Sequence, residues 1–232
     1  MTECSAVEFR DRGCYLDAHD TAVIADLHLG RGHRAGVAAP IETADDLERR
    51  LSELLDHWSP ARLILAGDIL DAFDTIPPGV TSRLDRLIET IHESGAEPVF
   101  LAGNHDTMLQ SLVDEVSHTV ELDETVVLHG HEHVAISGEQ YIVGHQHPAL
   151  RIEGVKRPCF LTGPGPSSSS VVILPAFSRT LRGTVMNRRA AADADSPFLT
   201  TDTFDQFRPI VWDEAAEETL SFPPFGSLRS FL

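Results

Sequence analysis

The chain is predicted to fold as a mixed α/β sandwich with its helices on the outside, and three observations predict it. Short apolar runs alternate with amphipathic stretches of helical period over the first half of the sequence. From about Val116 onward, short apolar runs follow one another in hairpin-like succession with no helical stretch between them. Candidate ligand residues stand just past the ends of apolar runs. That is the position at which sites collect in open α/β sheets.

Taken in order, Thr21–Ala25 reads as a buried strand ending at Asp26. Thr43 is a plausible N-cap for a helix that carries Leu47, Leu51, Leu54 and Leu55 on one face. Arg62–Ala66 is a second strand, followed by Gly67 and Asp68. Thr81 to Glu93 is a second amphipathic helix, stopped near Gly95. Pro98–Ala102 is a third strand leading to Gly103 and Asn104, and a short helix is expected from Thr107 to about Glu115. Val116–Leu122, Thr125–Leu128, Gln140–Val143, Arg157–Leu161 and Val171–Leu174 are further candidate strands. Gly163–Pro166 with Ser167–Ser170 reads as a low-complexity loop, and Arg188 to about Thr201 as a solvated connection. Residues 1–180 are expected to form the main domain. Residues 181–232 are expected to form an extension with an acidic cluster at Glu214–Glu218 and a Phe-rich tail packed on it.

With 232 residues, 42% of them apolar, the chain can bury a sizeable core. No run reaches the roughly 18 apolar residues a bilayer crossing needs, and the N-terminus lacks the pattern of a signal peptide, so a cytoplasmic protein is expected. Cys4, Cys14 and Cys159 are too few and too widely spaced for a disulfide framework or a zinc knuckle. Thirty-six acids face eighteen bases, for a net charge of −18, and Lys156 is the single lysine. Such a surface repels itself unless salt screens it. The pattern resembles cytoplasmic proteins of salt-loving archaea. It also argues against broad, unspecific DNA binding.

Five short motifs carry the chemistry: Asp26-Leu27-His28, Gly67-Asp68, Gly103-Asn104-His105-Asp106, His129-Gly130 and Gly144-His145-Gln146-His147. Asp26, His28, Asp68, Asn104, His129, His145 and His147 offer carboxylate, amide and imidazole donors, enough for two divalent cations, while no cysteine takes part. Mixed carboxylate and imidazole donors suit Mn, Fe, Zn or Ni. His105 is left for proton transfer, with Asp106 able to accept a hydrogen bond from it and fix its tautomer. Alternatively, Asn104 to Asp106 simply cap the helix expected to follow. Asp17-Ala18-His19 repeats the Asp-x-His spacing but follows no apolar strand, and reads as ordinary surface. Asp71 and Asp74 read as solvated turn residues, and His131 as a neighbour of the site. Arg31, His33 and Arg34 lie in a Gly-rich loop just past the first ligands and can meet a substrate phosphate.

In order and spacing, the five motifs resemble the calcineurin-like metallophosphoesterase superfamily over residues 20 to about 175. Asp26 to Gly32, with Leu174-Pro175-Ala176-Phe177-Ser178, looks closest to the small archaeal relatives of SbcD-type repair nucleases. The resemblance implies a β-sandwich of two mixed sheets flanked by helices. It implies one metal on Asp26, His28, Asp68 and His147, and a second on Asp68, Asn104, His129 and His145, with Mn the usual ion. A water or hydroxide between them would attack phosphorus and His105 would protonate the leaving oxygen. Only about two dozen residues separate His105 from His129 and the tail after Leu174 is short, so the groove and capping surface with which full repair nucleases handle DNA ends are expected to be missing. A phosphodiesterase with nucleic acid among its substrates is the first expectation. A phosphomonoesterase or small-nucleotide hydrolase is the alternative, and a catalytically idle interaction module of the same fold is a third.

Overall fold

The computed structural model of the chain describes residues 7–31, 44–132, 135–188 and 196–228. Thr43, His33, Arg34 and Cys4 therefore lie outside the described residues.

A first sheet runs in the order β1 (Val7–Arg10), β2 (Gly13–Leu16), β3 (Thr21–Ile24), β4 (Arg62–Ala66), β5 (Glu97–Leu101). Its first three strands are antiparallel neighbours, and β3, β4 and β5 are parallel. Parallel neighbours need a crossover, supplied by α1 (Ala44–Trp58) and α2 (Val80–Glu93). A second sheet has seven strands. Along the chain they are β6 (Thr119–Leu122), β7 (Thr125–Leu128), β8 (Gln140–Val143), β11 (Phe160–Pro164), β12 (Ser170–Ile173), β14 (Arg208–Asp213) and β15 (Glu218–Ser221). Across the sheet the order is β15-β14-β11-β12-β8-β7-β6, with β7, β8 and β12 parallel. A small third sheet joins β9 (Pro148–Ile152) to β10 (Val155–Pro158) on one side and β13 (Thr184–Val185) on the other.

Strand alternation sorts the apolar residues into layers. In β3 and β4, Ala22, Ile24, Leu63 and Leu65 face α1 and α2, packing with Leu51, Leu54, Leu84, Leu87 and Ile91. Their neighbours Val23, Ala25, Ile64 and Ala66 meet Val127, Ile142, Phe160 and Val172 of the second sheet in a shared inner core. On the far face of the second sheet, Val126, Tyr141, Val171 and Ile173 are covered by no long helix among the described residues. Met186, Phe198, Phe204, Phe207, Phe225 and Leu228 cover them instead. The last two belong to α3 (Phe225–Leu228).

The structure adds β9, β13, β14 and β15 to the strands the sequence predicts, and it alters the expectations elsewhere too. β1 and β2 form a hairpin that the sequence reading left unassigned, turning at Asp11 in the left-handed region. The strand expected at Arg157–Leu161 is two strands. Pro158 ends the pairing of β10 with β9, and the Cys159 N–H returns to the Pro148 carbonyl before Phe160 enters the second sheet. The helix expected from Thr107 is one 3-10 turn, Leu109–Ser111, since the Asp106 carboxylate is engaged elsewhere and does not cap it. The Gly-Pro-Ser loop is the tight connection of the β11–β12 hairpin, with a 3-10 turn at Pro166–Ser168. Among the described residues no helix is long and apolar enough to cross a membrane.

Candidate metal centre

Five strands deliver the site. Asp26, Asp68, Asn104, His129 and His145 each stand within three residues of the end of β3, β4, β5, β7 or β8. Backbone hydrogen bonds join the loops beyond those ends. The Asp26 N–H donates to Gly67 O (3.0 Å), His28 N–H to Asp68 O (2.8 Å), and Gly144 N–H to His129 O (2.9 Å). The His145 N–H reaches the Asp26 carboxylate at 3.0 Å, linking the two sheets directly.

The carboxylate of Asp68 is common to two donor groups. Asp26, His28, Asp68 and His147 form one, and Asp68, His129 and His145 form the other, each with candidate ligand atoms within 4.8 Å of one another. His28 Nε2 lies 3.3 Å from Asp68 Oδ2, and His129 Nε2 lies 3.3 Å from Asp68 Oδ1. The amide oxygen of Asn104 is 3.1 Å from His129 Nε2, which adds it to the second group. His147 Nε2 stands 3.1 Å from Asp26 Oδ1.

The backbone is bent hard to achieve this. Asp26, His28, Asp68, His145 and His147 all take positive φ, between 44° and 67°. For residues with a Cβ this costs roughly 1 kcal/mol or more each, and such strain gathers at functional sites. Close approach also limits residue size. A Cβ on Gly103 would overlap the Asp68 carboxylate, and one on Gly67 would stand 2.5 Å from the His129 ring.

The electrostatics fit a cation site. Both ring nitrogens of His28 and Nε2 of His147 are buried with no hydrogen-bond partner. Leaving such atoms unsatisfied costs about 1–3 kcal/mol apiece, which a coordinated cation would offset. Burial pushes the His28 imidazole down to about 4, against the pull of Asp68 and Asp26, so the ring is a neutral donor at pH 7. Burial also opposes charge on His129, yet the Asp68 and Asp26 carboxylates raise it to about 9. Burial would raise Asp68 too, but His129 and His28 hold it below the usual carboxylate range. This buried pocket, rich in carboxylate oxygen and imidazole nitrogen, draws in positive charge, and divalent cations fit its donor set.

His105 and Asp106 are placed differently from expectation. The His105 ring does not meet Asp106; its Nδ1 lies 3.1 Å from Asp71 Oδ1, while Nε2 faces Asp68 Oδ2 at 4.0 Å. The Asp106 carboxylate accepts from the N–H groups of Ile69, Leu70 and Gly103, and burial raises it to about 6. It braces the loops beneath the site. Asp71, expected to be a solvated turn residue, is buried and is the group that holds His105. The signal for it was the apolar pair Ile69-Leu70, which a solvated turn would not carry, and which the fold buries fully. His131 stands beside the second group, its ring centroid 5.3 Å from that of His129, with a buried Nδ1 that has no hydrogen-bond partner. Arg31 is exposed one turn past His28. Asp17 and His19 take no part in either donor group.

The sequence profile of the calcineurin-like phosphoesterase family matches residues 19–124. Over that span the chain is similar to calcineurin-like metallophosphoesterase domains. The matched span holds Asp26, His28, Asp68, Asn104 and His105, and the fold brings His129, His145 and His147 to the same place from beyond it. The chain is thus a hydrolase acting on phosphoester bonds. Among solved structures it is similar to the nuclease MPE of Pseudomonas putida, with 20% identity and a TM-score of 0.66, over 94% of this chain and 96% of that one. That likeness is one of fold. Yfce, a phosphoesterase from E. coli, matches at 13% identity and a TM-score of 0.47, over 88% of this chain and 98% of that one. No curated protein gives a significant match.

Proposed function

We propose that the chain is a metal-dependent phosphodiesterase, with nucleic acid as its substrate class, working through two metals that share Asp68. The observation that carries this reading is that one buried carboxylate belongs to both donor groups, 3.3 Å from a histidine of each. Asp26, His28 and His147 would complete one site, and Asn104, His129 and His145 the other. Bound divalent cations, Mn first and Fe, Zn or Ni in its place, supply Lewis acidity toward the phosphoryl oxygens and activate water as the nucleophile.

The protein's own groups do the rest. Asp71 engages His105 Nδ1, which leaves Nε2, on the Asp68 side of the ring, to hand a proton to the leaving oxygen. Asp106 keeps the backbone of Leu70 and Gly103 in register beneath Asp68. Arg31, with His33 and Arg34, would meet the phosphate from the loop past His28. A fold of this size serves a nuclease in Pseudomonas putida, which is compatible with a diester substrate. We place the chain with the SbcD-related branch, in the cytoplasm of a salt-loving archaeon. The segments Asp26 to Gly32 and Leu174 to Ser178 support the branch, and the acidic composition and two buried free thiols, Cys14 and Cys159, support the compartment and source.

The test compares hydrolysis of bis-nitrophenyl phosphate with that of the monoester by the Mn-loaded protein. The diester is expected to react faster; a clear monoester preference would move the assignment to a phosphomonoesterase. Turnover of neither by protein that holds metal would leave an idle module. In the same assay His105→Ala is expected to keep its metal and lose about 10²- to 10⁴-fold in turnover. Loss of metal in that variant would refute the proton-transfer role.

A further inference from the structure

We propose that Arg12 and Arg50 are positioning residues for Asp26, acting through the strap Leu174–Ser178; this rests on the metal-site reading above. The strap leaves β12 and runs between the two sheets. At its start the Leu174 N–H donates to Val143 O (2.7 Å), at the end of the strand that precedes His145. At its other end the Phe177 N–H donates to Ala25 O (2.8 Å) and the Ser178 N–H to Asp26 O (3.3 Å). Three N–H groups of the strap are thus spent on the backbone that carries the candidate ligands.

Its carbonyls need partners of their own, and two arginines provide them. Arg12 Nη1 donates to Ala176 O (3.0 Å) and Ser178 O (2.7 Å). Arg50 Nη1 donates to Phe177 O (2.9 Å), and its guanidinium carbon lies 4.4 Å from the centre of the Phe177 ring. Three successive carbonyls are therefore held by planar cations that supply several N–H groups in fixed directions, which an ammonium does not. Arg50 is only 3% exposed, and Asp11 offsets its charge by accepting from Nε (2.8 Å) and Nη2 (2.6 Å). Asp11 and Arg12 both sit at the β1–β2 turn, so that hairpin supplies one anchor, Arg12, and the counter-charge of the other, Arg50 of α1.

The consequence falls on Asp26. Its φ of 60° is held against the ordinary preference of a residue with a Cβ. Its carboxylate must also stay within reach of His145 N–H and His147. A strap anchored on one side by arginines and on the other by the Ala25 and Asp26 carbonyls fixes that backbone. Loosening the anchors lets Asp26 relax out of the first donor group, while in the second Asp68 and His129 keep contacts of their own, with the His105 N–H and the Ala66 carbonyl.

The experiment is a Mn²⁺ titration of the metal-free full-length protein, counting bound ions from the loss of the free-ion electron paramagnetic resonance signal. The wild type is expected to take up two ions. Arg50→Lys and Arg12→Gln, checked as folded by circular dichroism, are expected to lose about 10- to 100-fold in affinity at one site and keep the other. Should Arg50→Lys not fold, Arg12→Gln decides. Arg49→Ala, on the exposed face of the same helix, is expected to bind as the wild type does. Variants that melt earlier yet bind two ions with unchanged affinity would make the arginines merely structural and overturn the inference. A wild type that binds fewer than two ions would overturn the metal reading itself, and this inference with it.

Discussion

At the scale of single residues, the site is governed by how little room surrounds Asp68. Its side chain is 2% exposed, with His28 and His129 against its two oxygens and the His105 N–H donating to Oδ1 at 2.9 Å. Gly103 closes the remaining side. Adding one methyl there forces either the Asp68 carboxylate or its backbone to move, since both lie in the path of a Cβ. Gly103→Ala is therefore expected to fold and to lose about 10- to 100-fold in metal affinity, the range seen when the support of a ligand is disturbed. Inductively coupled plasma measurement of metal content after dialysis against dilute Mn checks it. A variant that retained two ions per chain would show that Asp68 has more freedom than its surroundings imply. That the candidate ligand residues gather in one place was legible in the sequence, because most of them stand just past a short apolar strand and such strand ends converge. The partner of His105 was not. Asp71 stands three residues beyond Asp68, and only the bridge that pairs Leu29 with Leu70 turns it inward, where it meets a ring from another loop.

At the scale of elements, what could be read depended on whether a strand is buried on both faces. β3, β4, β7 and β8 are continuous apolar runs for that reason, and all four stand where their sequences place them. β1, β14 and β15 lie at or near sheet edges and mix charged with apolar residues, so their sequences resemble loops. The C-terminal stretch was hardest to read. Its apolar residues follow neither a helical nor a strand period; they come from 3-10 turns and one short helix that cap the outer face of the second sheet. Phe225 is fully buried there, with its ring stacked 5.2 Å from that of Phe204. Truncating a buried Phe costs about 3–5 kcal/mol. Phe225→Ala is expected to lose that much in urea denaturation, while the metal content of the folded protein stays at the wild-type level, since this face lies behind the second sheet. A loss below about 1 kcal/mol would mean that the tail covers the sheet only loosely.

At the scale of the whole molecule, charge is the dominant departure from an ordinary domain. With thirty-six acids and eighteen bases, eighteen acids would lack a basic partner even if every base took one. Several bases take more than one: Arg49 meets Asp46 and Glu53, and Arg179 meets Glu214 and Asp46. Carboxylates also crowd one another. A hydrogen bond with Glu139 and its charge raise the Glu124 carboxyl above its ordinary value. Salt acts on both kinds of contact with opposite signs, weakening the ion pairs and relieving the repulsion. Exposed ion pairs are worth about 0–1 kcal/mol each, whereas the uncompensated acids repel one another collectively and oppose the compact state. Relief is therefore expected to win, and the melting temperature should rise with KCl. The shape of the rise identifies the cause. The screening length falls from about 10 Å at 0.1 M to about 3 Å at 1 M, so most of the gain should come below 1 M. A solute that merely avoids the protein surface would instead give a gain that keeps growing with concentration. For a chain of this size each 1 kcal/mol of stability is worth about 2–4 °C, and a gain of several degrees by 1 M KCl is the expected result in a calorimetric scan. A melting temperature that is flat or falling over that range would mean that the excess acids are spaced widely enough to be harmless, and the case for adaptation to high salt would fail with it.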